Sequence, residues 1–182
     1  MRSHHLIIPL ILTIFVLGAC AKGGDPLLEL ERACGDGRDS SACLQVGKAW
    51  LSGEEPTLPV ALERKARLEK FLARWNTDAF LAVHAGWLTR TGGAYSKAGD
   101  VIKAVESVDA GLAEFEAGHL SYPGSTWLRL THALTLSHLP PVFRKDAAAR
   151  DSLSVLVASG VLSARERTLV DSALSRLSSG KD

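Results

Sequence analysis

The stretch Ser96-Lys97-Ala98-Gly99-Asp100-Val101-Ile102-Lys103-Ala104-Val105-Glu106-Ser107-Val108-Asp109-Ala110-Gly111-Leu112-Ala113-Glu114-Phe115-Glu116-Ala117 decides the fold class. Val101, Val105, Val108, Leu112 and Phe115 step by four and three, which sets them on one face of an α-helix. Gly118 is a natural stop. The spacing predicts a helix over about 96–117.

Outward from this segment the helical period recurs, and strand signals are almost absent. Upstream, Asn76 or Thr77 can cap a helix reaching about Thr89, which Gly92-Gly93 ends. Before it, a helix starts after Thr57 with Pro59 in its first turn and reaches about Trp75. Two more cover about Pro26 to Cys34 and Asp39 to Ser52, closed by Asp36-Gly37 and Gly53. Downstream, helices are expected over about Ser125 to His138, Arg144 to Ser159 and Ser163 to Leu177. Ser163-Ala164-Arg165-Glu166 reads as a capping box opening the last of them. The expected fold class is all-α, with about eight helices in antiparallel hairpins. They form a helical-repeat array or a compact bundle. Residues 26–178 are expected to make one domain, with 179–182 a frayed tail.

The N-terminal end carries a different signal. Met1 and Arg2 lead into the apolar run Leu6 to Leu17, about twelve residues where a spanning helix needs about twenty. Leu17-Gly18-Ala19-Cys20 then resembles the lipobox of bacterial lipoproteins. That resemblance implies that residues 1–19 are a signal peptide and that Cys20 carries the lipid which tethers the chain to a membrane. Ala21 stands where an inner-membrane retention aspartate would be, so the resemblance favours the outer membrane, facing the periplasm. Residues 20–25 are the lipidated cysteine and its tether. The five residues after Cys20 span at most about 18 Å, so the folded part would stay close to the bilayer.

Cleavage would leave about 160 residues, enough for a domain with a real core. It would remove Arg2 and no acid, leaving basic and acidic side chains equal in number. A neutral chain without clustered Lys and Arg is not expected to bind nucleic acid. With Cys20 committed to lipid, Cys34 and Cys43 remain as a candidate disulfide, two reduced thiols being the alternative. Closing so short a loop would add roughly 2–3 kcal/mol.

Ala42 through Gly53 resembles the first half of a tetratricopeptide-related repeat of the Sel-like type, with Val46-Gly47, Trp50 and a helix-ending Gly53. The resemblance implies close helix approach at Gly47, a groove filled by Trp50 and a left-handed cap at Gly53. Cysteines flank the preceding turn in disulfide-bearing members of that group, as Cys34 and Cys43 do here. Gly111 through Phe143 resembles divergent tetratricopeptide-like envelope proteins more loosely, on Gly111-Leu112, Pro123, Arg129 with Ala133, and Leu139-Pro140-Pro141-Val142-Phe143. No regular thirty-four-residue period runs through the chain.

Catalytic and metal-binding motifs do not occur. His132 and His138 are six apart, off the spacing that stacks metal ligands on a helix. Asp78 with His84 and Glu114 with His119 are the nearest acid–base pairs in sequence. No cofactor and no metal site is expected. Trp75, Trp87 and Tyr95 are candidate partner-binding residues, Tyr95 on a loop formed by 91–95. The expectation is therefore a non-enzymatic envelope lipoprotein that binds an envelope protein, as an assembly or scaffold factor. A lipid-anchored hydrolase acting on cell-wall or lipid material is the alternative from another class. A spacer that binds lipid or peptidoglycan is the third reading.

Overall fold

The computed structural model of the chain describes residues 26–35 and 37–179. Among these, all regular structure is helical: α1 Pro26–Cys34, α2 Ser40–Ser52, α3 Leu58–Trp75, α4 Asp78–Lys97, α5 Val101–Ser121, α6 Thr126–Leu136, α7 Asp146–Ser159 and α8 Ala164–Ser179. A single 3-10 turn, Pro141–Phe143, lies between α6 and α7. Residues 1–19, expected to be a signal peptide, Cys20 and the end of the tail lie outside the described residues.

Side chains open most of these helices. Asp39, Thr77, Asp100 and Ser125 each accept a hydrogen bond from the amide three residues on. The expected capping box forms reciprocally: Glu166 accepts from the Ser163 amide at 2.8 Å, and Ser163 Oγ accepts from the Glu166 amide at 3.3 Å.

The chain separates into two compact units that divide between Glu54 and Glu55. The segment Gly53-Glu54-Glu55-Pro56 carries a proline and no helical pattern, which accounts for a break there. In the first unit α1 packs on α2, joined by a disulfide between Cys34 and Cys43 with Cα atoms 4.7 Å apart. Trp50 is buried and donates its indole N–H to Glu31 at 3.0 Å. Gly53 is extended (φ −76°, ψ −174°) and not left-handed, so α2 ends without the cap implied for it.

In the second unit α4 is the hub, in contact with α3, α5 and α6. Small and apolar residues surround it: Ala82, Val83, Ala85, Gly86, Trp87 and Leu88 are all buried. A helix without an exposed face must be covered by several neighbours, and α4 is. Burying one Val, Leu or Phe side chain stabilises the fold by about 1.5–3 kcal/mol. The sheltered residues form a centre of Ala82, Ala85, Phe115 and Leu128, with a second cluster among α6, α7 and α8.

Gly92-Gly93 does not end α4, which runs on to Lys97. Gly92 serves the neighbouring helix instead. A Cβ at Gly92 would lie 2.7 Å from the Ala104 carbonyl oxygen, and one at Gly111 would lie 2.6 Å from that of Ala85. These two positions let α4 and α5 approach almost backbone to backbone. The α5 face also differs in extent from its pattern. Val108, Leu112 and Phe115 are buried as expected, but Val101 and Val105 are exposed, 63% and 42%.

Candidate functional site

Three features of the second unit could carry function: a buried histidine–carboxylate pair, a groove with two histidines, and the uncovered face of α5.

The antiparallel register that fits Gly111 against Ala85 also sets Glu114 beside His84. The Glu114 carboxylate receives the His84 Nδ1–H, with N···O distances of 2.7 and 2.8 Å. Neither pairing nearest in sequence forms: Asp78 instead accepts from the Ser125 hydroxyl at 2.5 Å. His84 borders a shallow depression of about 360 Å³ with Glu69, Leu72, Ala73 and Asn76. Its Nε2 is buried and has no hydrogen-bond partner among the described residues. The Nδ1 contact with Glu114 fixes the orientation of the ring.

The groove holds about 540 Å³ and is walled by the end of α5, the following turn, α6 and α7. His119 Nε2 and His132 Nδ1 meet at 2.9 Å, so one imidazole donates and the other accepts. Phe115 stacks on His132 with centroids 4.7 Å apart, which fixes the pair from below. Burial pushes His132 down to about 4, with the neighbouring His119 and Lys145 adding to the effect. Burial also lowers His119; Arg129 adds to this and Glu116 opposes it. Both rings are therefore neutral at neutral pH. Ser152 and Ser159 line the groove, but neither is hydrogen-bonded to an imidazole among the described residues, so no nucleophile–base pair is assembled. No set of three His, Cys, Asp or Glu residues among those described could hold a metal ion.

The third feature is exposed and partly apolar. Val101, Ile102 and Val105, 63%, 73% and 42% exposed, crowd the first turns of α5, and Leu120 near its end is 86% exposed. Polar residues do not screen them: Lys103 turns to Asp100 at 3.0 Å.

The residues anticipated as partner contacts separate. Trp75 is half-buried at the end of α3, stacked on Phe80 at 5.0 Å with the Arg74 guanidinium 5.3 Å from its ring. Trp87 is fully buried and donates to the Ala61 carbonyl at 2.9 Å, so it is a core residue that a partner cannot reach. Tyr95 is half-buried on α4, not on a loop, because the helix passes through the glycines. The three do not form one surface. The exposed face of α5 was not singled out from the sequence. Ile102, off the apolar stripe and beside Val101, was the available signal.

No helix among the described residues is long and apolar enough to cross a membrane. Comparison of the chain with protein-family models, curated proteins and solved structures gave no match.

Proposed function

We propose that the protein is a non-enzymatic lipoprotein of the bacterial cell envelope whose helical domain binds another protein, as an assembly or scaffold factor. The observation that carries this reading is the exposed apolar group Val101, Ile102 and Val105 on α5. A water-facing cluster of this kind, rimmed by charged residues, has the make-up of a protein contact surface. The Cys34–Cys43 disulfide fits an oxidising compartment, which is where a chain exported by its N-terminal segment would fold. Lipid on Cys20 would hold it at a membrane, the outer one by the residue at 21. Gly47 and Trp50 are buried, as a divergent tetratricopeptide-like or Sel-like hairpin requires, which supports that affiliation.

The test is site-specific photocrosslinking from position Ile102 in intact cells, followed by mass spectrometry of the adduct. One dominant envelope protein is the expected product, lost when Val101 and Val105 are both changed to Ser. Adducts with lipid or wall fragments alone would replace this reading with that of a spacer. For the anchor, Cys20→Ser should abolish acyl labelling; a variant that is still acylated refutes the lipid assignment.

A further inference from the structure

We propose that the outward face of α5 is a docking strip for a basic amphipathic helix of a partner protein. The proposal deepens the protein-binding reading above and rests on it. Ile102 and Leu120 lie 18 residues apart, about five helical turns, so they share one line along the helix surface. Val105, Glu106, Asp109, Ala113 and Glu116 lie on or beside that line, and all are exposed. The strip is thus apolar at both ends and acidic between, over about 27 Å.

Its charge is only partly offset, by Lys103 near Glu106 and His119 near Glu116. Glu106, Asp109 and Glu116 make no ion pair among the described residues, and Lys103, the only Lys or Arg on this stretch, is paired with Asp100. Three unpaired carboxylates between apolar contacts call for an occupant with cations in its middle and apolar side chains towards its ends. An α-helix satisfies that pattern because its side chains recur with the same three-and-four spacing. Ala113, the smallest side chain at the centre, lets a second helix approach closely there. An anionic bilayer surface attracts Lys and Arg and repels this acidic row, so a membrane is the wrong occupant. A second copy would lay the same carboxylates against themselves, and like charges across an interface oppose association.

The experiment uses the full chain in its own cells, with a photoreactive side chain at position Ala113, and sequences the crosslinked segment. The expected adduct is a segment rich in Lys or Arg with apolar residues at helical spacing. Reversal of the row (Glu106→Lys, Asp109→Lys and Glu116→Lys together) should cut its yield by about tenfold or more. The gentler set Glu106→Gln, Asp109→Asn and Glu116→Gln should cut it severalfold while leaving the fold intact. A protein adduct at Ile102 that survives both sets would overturn the basic-helix assignment and leave the protein-binding reading standing. Loss of any protein adduct from both Ile102 and Ala113 in the unaltered strip would remove both readings. Adducts with lipid or with a second copy at Ala113 would also overturn the assignment.

Discussion

On its inner side α5 lies against α4 so closely that Gly92 and Gly111 leave no room for a Cβ, whereas its outer side carries exposed Ile102 and Leu120. Both sides belong to one helix and both contain apolar residues. What separates them is coverage by neighbours. Periodicity locates the apolar stripe of a helix, but the neighbours decide how far along that stripe water is excluded. Val101 and Val108 lie on the same stripe; the second is buried and the first is not.

The sharpest way to break this contrast is to enlarge one side chain on each side. Gly→Ala within a helix ordinarily stabilises by about 1 kcal/mol, so the sign of the change is diagnostic. At Gly111 the new Cβ would meet the Ala85 carbonyl oxygen at 2.6 Å and the Thr89 methyl at 2.8 Å. The helices must then separate, at a cost of about 2–4 kcal/mol, and thermal unfolding should move down by roughly 6–15 °C. Ala113→Leu on the outer side should stay within about 0.5 kcal/mol. A stabilised Gly111→Ala protein would show that the two helices are not in backbone contact.

The next effect tests the polar link across the same inner contact. His84→Leu leaves the Glu114 carboxylate without its partner in a position where only 20% of the side chain is exposed. Losing one member of such a pair should cost about 2–3 kcal/mol in denaturant unfolding. The double change His84→Leu with Glu114→Leu should recover most of that loss, because no polar group is then stranded. Additive losses in the double-mutant cycle would mean that the two residues act separately.

This link shows where sequence reading succeeds and where it stops. The helices were legible because their caps and three-and-four spacing are local: Asp39, Thr77 and the Ser163–Glu166 box act within one turn. The disulfide was legible because Cys34 and Cys43 stand close in sequence. Gly92-Gly93 misled because a glycine pair marks either a helix end or a close approach, and the packing of Gly92 on Ala104 and Val108 that decides between them is tertiary. His84 and Glu114 are 30 residues apart, and their meeting depends on the same register. Trp87 stands near those glycines, and reading them as a helix end made a core residue resemble a surface anchor.

A smaller effect distinguishes the ends of α5 by pH. The His119–His132 contact needs one neutral acceptor, and both groups have lowered pKa values in the folded protein. The unfolded chain therefore binds protons first as pH falls. The stability due to His132 is present above about 6.5, declines below that value and is lost by about 4. With solvent screening allowed for, about 1–2 kcal/mol should disappear across this window. His132→Gln retains a hydrogen-bonding group without titrating, so its melting temperature should fall less steeply between pH 7 and pH 4, compared at equal ionic strength. Parallel curves for the two proteins would assign the acid sensitivity to other groups.

The smallest change in stability belongs to the outer face, and its smallness is informative. Ile102→Ser removes an apolar side chain that is 73% exposed, so little buried area is lost and unfolding should shift by no more than about 0.5 kcal/mol. Val108→Ser removes a chain of similar character that is only 4% exposed, and should cost about 2–4 kcal/mol. Both lie on α5, so the ratio of the two effects in urea unfolding measures coverage rather than helix propensity. If Ile102→Ser proved as damaging as Val108→Ser, another part of the protein would have to cover Ile102, and that position would no longer be open to a partner.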